Sequence, residues 1–239
     1  MLMHRTCCLW FIGLLLGLVI FNPLNPAPAG ATWITVYEND FQTPVGSEWT
    51  SSGTAIQIEA TPLPSDGSRI FLGQFSNDTV SLSLSGLPAH TQARLSFDLY
   101  VIASWDGWPS NAPIEIWDLS IAGGGNIIKT GFANIEGRNQ YYPGTYPGGS
   151  NPARTGASEN NTLGFLPHGD SVYNFSFEVP HSAGSVAFQF TASGLQNIAD
   201  ESWGLDNVKV EVVPLPSTLL FLGSGLLGLA GVRLRFRKG

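Results

Sequence analysis

The side chains able to do chemistry are few, and none falls into a catalytic pattern. His168 and His181 stand beside a proline or glycine and His90 two residues after Pro88, all in expected loops, and the three are too far apart in sequence to define a metal set. Glu115 and Asp118 lie an odd number of positions apart on one expected strand, 113–121. They therefore point to opposite faces and do not make the carboxylate pair that glycoside hydrolysis needs. No Gly-x-Ser-x-Gly turn, His-Glu-x-x-His helix, phosphate loop or dinucleotide fingerprint occurs, and Gly123-Gly124-Gly125 reads as a hairpin turn. The remaining chemistry is aromatic. Tyr141, Tyr142 and Tyr146 fall in an irregular stretch, 137–168, with Trp105, Trp108 and Trp117 nearby in sequence. Such rings can stack on sugars. The competing reading is that the tryptophans fill a core and the tyrosines pin the loop.

The elements that must carry these residues are strands. In 93–103, Leu95, Phe97, Leu99 and Val101 alternate with Ser96, Asp98 and Tyr100, the mark of a half-buried strand with one largely polar face. Tyr173, Phe175, Phe177 and Val179 repeat the pattern, as do Val186, Phe188 and Phe190. Further strands are expected at 33–38, 54–60, 69–75, 79–84, 113–121, 126–132 and 205–213, separated by Gly, Pro, Asn and Ser clusters. No amphipathic helix and no internal repeat interrupts them. About ten strands with frequent turns predict an all-β domain of two packed antiparallel sheets, a jelly roll.

Charge is unevenly distributed. All eighteen Asp and Glu but only six of the eleven Lys and Arg lie between residues 32 and 213, which gives that domain a net charge of −12. Such a surface repels nucleic acid, and no nucleic-acid partner is expected.

The two ends read differently. Residues 1–31 have the form of a secretory signal peptide: Arg5 near the start, an apolar run from Cys7 to Phe21, and a small-residue pattern ending at Ala31. Both cysteines, Cys7 and Cys8, lie in that segment, so the mature chain has no thiol or disulfide chemistry. At the other end, Val213-Pro214-Leu215-Pro216 is a proline turn through which neither helix nor strand is expected to run. An uncharged stretch, 217–232, follows, and Arg233, Arg235, Arg237 and Lys238 close the chain. As a helix the stretch reaches roughly 24 Å against an apolar bilayer core of about 30 Å, with the basic end held on the cytoplasmic side.

This order of proline motif, apolar helix and arginine-rich end resembles the PEP-CTERM sorting signal, with Leu215 standing where that motif carries Glu. The resemblance covers residues 214–239. It implies transient anchoring in the inner membrane, processing by a membrane-embedded exosortase, and delivery to the cell surface or extracellular matrix.

A second resemblance is carried by Phe97-Asp98-Leu99-Tyr100, by Ser104-Trp105-Asp106-Gly107, and by the run from Asp200 to Val208. These are similar to strands of jelly-roll carbohydrate-binding and galactose-binding-like domains. The resemblance implies a structural Ca²⁺ between the first and last strands, held by Glu38, Asp40 and Asp206, since oxygen-only ligands suit that ion. From the aromatic residues themselves, an extracellular polysaccharide is the expected partner, with Trp105, Trp108, Tyr141, Tyr142 and Tyr146 as the candidate ligand-binding face. The resulting expectation is an exported, non-enzymatic β-sandwich; the alternative is a secreted glycan-processing enzyme.

Overall fold

The computed structural model describes residues 32–62, 67–110 and 113–215. The expected signal peptide and membrane helix, together with Pro216, Arg233, Arg235, Arg237 and Lys238, lie outside the described residues.

The described residues form fourteen strands and no helix. In chain order they are β1 (Ile34–Asn39), β2 (Trp49–Ser51), β3 (Ile58–Ala60), β4 (Ile70–Phe75), β5 (Thr79–Ser85), β6 (His90–Ala103) and β7 (Ile116–Ile121). There follow β8 (Asn126–Thr130), β9 (Asn139–Gln140), β10 (Asn151–Pro152), β11 (Glu159–Asn160), β12 (Asp170–Pro180), β13 (Ser185–Ser193) and β14 (Glu201–Pro214). One sheet runs β11-β12-β6-β14-β4-β3, with β1 added to β14; the other runs β2-β5-β13-β7-β8. All pairings are antiparallel, and the two sheets make a jelly-roll sandwich.

The alternation read from the sequence selects the inner faces. Leu95, Phe97, Leu99 and Val101 of β6 meet Tyr173 and Phe175 of β12 in one sheet, and Trp117, Leu119, Phe188 and Phe190 of the other sheet pack onto them. Trp117 stacks on Phe175 at 6.0 Å and crosses Trp203 edge-on at 6.3 Å, so aromatic contacts tie the sheets together. β14 changes phase within its length. Trp203 and Leu205 are buried at odd positions, but Val208, Val210 and Val212 at even ones. The pairing with β6 shifts register between Asp206 and Lys209, and Asn207 sits there in the left-handed region at φ 50. The extra residue turns the following side chains over, so valines of the opposite parity reach the core.

Three expectations need correction. The outer face of β6 is not simply polar: Tyr100 and Ile102 join Phe71, Val172 and Leu163 in a second core on the outside of the larger sheet. It forms because the 137–168 segment folds back over that face, with Phe165 edge-on to Phe71 at 6.4 Å. That segment is also less irregular than expected, since it contains β9, β10 and β11. Finally, the proline turn does not end the sheet at Val213. Pro214 still pairs with His90, and the Leu215 N–H donates to the Ala89 carbonyl at 2.9 Å. A proline fits there because it occupies the last position of the strand, after a register shift at Val213.

Candidate functional site

The 134–169 segment builds a cleft of about 760 Å³. Its walls come from Asn134–Asn139, from Pro152–Arg154, and from Leu166–Gly169 with Asn161. Three buried polar side chains hold these walls. Asn134 donates to the carbonyls of Val101 and Ala103 at 3.0 and 2.8 Å, which fixes the first wall to the end of β6. Gln140, fully buried, accepts at Oε1 from the N–H groups of Ala133 and Arg154 and from the Tyr173 hydroxyl. Its Nε2 donates to the carbonyls of Tyr142 and Thr155 at 3.0 and 2.8 Å, so one amide ties β9 to the turn after β10. Asp170, also fully buried, accepts from four consecutive N–H groups, those of Thr162, Leu163, Gly164 and Phe165, at 2.9–3.3 Å. A carboxylate with that many donors fixes the backbone leading to the third wall.

Arginine dominates the charge of this cleft. Arg138 and Arg154 both line it, and neither forms an ion pair among the described residues. Three of the other four Lys and Arg of the domain are matched, Arg69 with Glu159, Arg94 with Glu178 and Glu211, and Lys209 with Glu211; the fourth, Lys129, lies over the Tyr146 ring. Arg154 holds a left-handed backbone at φ 64, kept there by N–H bonds to Gln140 Oε1 at 2.9 Å and Ala133 O at 3.0 Å. Its Nη2 donates to the His168 carbonyl at 3.3 Å, while its Nε is buried without a partner. Gly169 makes the crossing possible, because a Cβ on it would run into Arg154 Nη2 and Asn161 Oδ1. Glu136 is the one acidic side chain on the walls, and Leu166 stands 81% exposed at the rim.

The aromatic residues expected to bind sugar divide in two. Trp105 is fully buried, with its indole N–H donating to Ser202 O at 2.9 Å. Tyr142 packs against Phe132, Tyr173 and Phe175 at 5.3–5.4 Å, so both serve the core and not a ligand surface. Trp117 is core as well. Trp108, Tyr141 and Tyr146 do come together, with ring centroids 6.2 and 5.1 Å apart, and Lys129 lies 5.8 Å over Tyr146. Trp108 is joined to the cleft wall by a two-way backbone pair with Asn139.

Among the described residues, the expected Ca²⁺ ligands Glu38, Asp40 and Asp206 do not form a group with carboxylate oxygens all within 4.8 Å of one another. Glu38 and Asp40 are exposed, and Asp206 accepts from the Tyr100 hydroxyl and the Asn207 N–H, both at 2.7 Å. Burial, before the charges of Asp98 and Asp40, pushes the Asp206 carboxyl up to about 6. Carboxylates meet elsewhere, at Asp106, Glu115 and Glu201. Burial first, and then the Glu201 and Asp106 charges, push Glu115 up to about 9. Sequence spacing had no means of finding this group, because its members are joined only by the crossing of the two sheets.

The histidines also depart from expectation. His90 lies in β6, almost fully buried, and its Nε2 meets His181 Nδ1 at 2.7 Å with the rings stacked. His90 Nδ1 is 2.6 Å from Pro88 O, and since a carbonyl only accepts, Nδ1 carries the proton there. Nε2 is then the acceptor of the His181 N–H. Burial and His90 hold His181 below the usual histidine value. His168 lies apart from this pair, on the cleft wall.

No model of a known protein family matches the chain, and no curated protein matches it. Among solved structures, the CBM22-1 xylan-binding domain of Xyn10C from Paenibacillus barcinonensis aligns at 10% identity and a TM-score of 0.40, over 79% of this chain and all of that one. The mannan-recognising carbohydrate-binding module TmCBM27 aligns at 16% identity and 0.39, over 76% of this chain and 99% of that one. The cleaved adhesin domain of Lys-gingipain from Porphyromonas gingivalis aligns at 11% and 0.42, over 76% and 98%.

Proposed function

We propose that this chain is an exported, non-catalytic β-sandwich whose cleft binds a carboxylate-bearing polysaccharide at the cell surface or in the extracellular matrix. One observation carries the reading: in a domain of net charge −12, two arginines without carboxylate partners line a single concave site. Guanidinium groups favour planar carboxylates, which they can hold through two parallel bonds. The left-handed Arg154 supports the reading, since backbone kept in a sparsely populated region gathers at binding sites. The negative charge elsewhere repels an acidic chain from the rest of the surface and so confines it to the cleft. Trp108 and Tyr146, half-buried beyond Asn139 and packed on either side of the buried Tyr141, offer ring edges against which a sugar leaving the cleft can lie.

Export and sorting belong to the same proposal and rest on the sequence of residues 1–31 and 214–239, with exosortase as the processing partner. Residues 214 and 215, at which the proposed motif would begin, are still held to the sheet, with the Leu215 N–H bonded to the Ala89 carbonyl. The glycan-processing alternative would need an exposed carboxylate pair. Glu115 and Glu201, whose carboxyls do meet, are 1% and 0% exposed and do not line the cleft.

Retention on immobilised polygalacturonate tests the binding reading. The protein should be held there and not on neutral dextran, and it should release no reducing ends. Passage through both columns would contradict it, and release of sugar would favour the enzyme.

A further inference from the structure

A second site lies between the sheets. Asp106 follows β6, Glu115 immediately precedes β7, and Glu201 opens β14, so the group spans the two layers of the sandwich. One carboxylate oxygen from each comes within 4.8 Å of the others. Asp106 is half-buried, whereas Glu115 and Glu201 have almost no exposure. Their hydrogen bonds are few. Glu115 Oε2 accepts from the Gly107 N–H at 2.9 Å. Glu201 accepts from the Gln196 N–H at 2.7 Å and from Gln196 Nε2 at 3.2 Å, and the same Nε2 reaches Asp106 Oδ2 at 3.4 Å. Glu115 Oε1 is buried and has no hydrogen-bond partner.

No Lys, Arg or His pairs with any of the three among the described residues. Three carboxyl groups gathered away from water without a counter-charge are costly to ionise, and a buried Glu115 oxygen without a hydrogen-bond partner adds to that cost. We infer that Asp106, Glu115 and Glu201 bind a divalent cation of the calcium class, which clamps the two sheets at this end of the sandwich. The donor set decides the class. It is all oxygen, which suits a hard ion and not zinc or copper. Three side-chain carboxyls, two of them almost unexposed, leave little room for the several waters that Mg²⁺ keeps, which favours Ca²⁺. The site uses none of Glu38, Asp40 and Asp206. It is also separate from the cleft, so it stands or falls independently of glycan binding.

The test is thermal unfolding of the full chain at pH 7 in detergent, with 1 mM CaCl₂, 1 mM MgCl₂ or chelator, for the wild type and for Asp106→Asn, Glu201→Gln and Asp206→Asn. With free ion well above its dissociation constant, Ca²⁺ should raise the wild-type Tm by several degrees over chelator. Mg²⁺ should give a smaller rise. Asp106→Asn, which removes a half-buried carboxylate and is the mildest change, should lose most of the Ca²⁺ response, as should Glu201→Gln; Asp206→Asn should keep it. Terbium luminescence sensitised by the nearby tryptophans should follow the same order. The inference is overturned if Ca²⁺ leaves the wild-type Tm unchanged, as it would if Glu115 and Glu201 simply shared a proton. It is equally overturned if the response survives in Asp106→Asn, or if Mg²⁺ matches Ca²⁺.

Discussion

Tyr100 of β6 donates its hydroxyl proton to Asp206 of β14 at 2.7 Å, in a bond buried between adjacent strands of the larger sheet. The carboxylate is stabilised by this bond and by the Asn207 N–H, yet burial outweighs them and its value rises to about 6. A raised folded-state value means that the native state binds the proton more tightly than the unfolded chain does. Its contribution is therefore fully present below the ordinary carboxylate value and is lost as the pH rises through about 6. Over the whole titration this one group should remove about 3 kcal/mol of stability as the pH rises, about 2 kcal/mol of it between pH 4 and pH 6. Urea unfolding across that range should show a flatter slope for Asp206→Asn than for the wild type, and identical slopes would contradict the assignment.

Asp170 holds the third wall of the cleft through four backbone N–H groups. Asp170→Ala leaves those donors without an acceptor beneath a buried Leu163, at a cost of about 3 kcal/mol. Denaturant midpoints at unchanged slope should report that loss, and acidic-polysaccharide binding should weaken with it because the His168 wall is released. A loss below about 0.5 kcal/mol, the size of an ordinary surface substitution, would show that the loop is held by its apolar contacts alone.

The His90–His181 pair has the opposite sign to Asp206. His181 is held below its ordinary value, so its contribution is present at neutral pH and is lost as the pH falls below the usual histidine range. Ring-proton NMR should find His181 titrating below about 6.5 in the wild type and returning towards that value in His90→Ala. A His181 titrating above 6.5 in the wild type would refute the arrangement.

The sandwich was largely legible in the sequence because one-sided burial leaves a period of two, as in Leu95, Phe97, Leu99 and Val101. The phase change at Asn207 can be read there too, since Leu205 is followed by Val208, Val210 and Val212. What was not legible depends on folding at long range. Tyr100 reads as an outward residue until Leu163 and Phe165 cover it. His90 and His181 stand 91 positions apart and become neighbours only because β6 pairs with β12. Glu115 looked like half of a failed pair with Asp118, whereas its true neighbour, Glu201, lies in the other sheet. Gln140 and Asp170, which shape the cleft, carry no motif; their signal was only the improbability of a long loop without internal anchors.

Sorting makes a prediction of its own. If residues 214–239 are processed at the membrane, an epitope within the domain should report two chain lengths in cells that have exosortase and one in cells that lack it. Neutralising Arg233, Arg235 and Arg237 should reduce membrane retention, because the cytoplasmic end would no longer resist translocation. A single full-length, membrane-bound product in both backgrounds would contradict the reading.

Calorimetric titration with polygalacturonate and with the same polymer fully methyl-esterified tests the cleft most directly, since esterification removes the charge and keeps the sugar chain. The wild type should bind the free acid and not the ester. Arg154→Ala should weaken binding by roughly ten- to a hundredfold, and Arg138→Ala combined with it should abolish the signal, while unfolding temperatures change little. Equal binding of acid and ester, or full affinity in the double variant, would contradict the account.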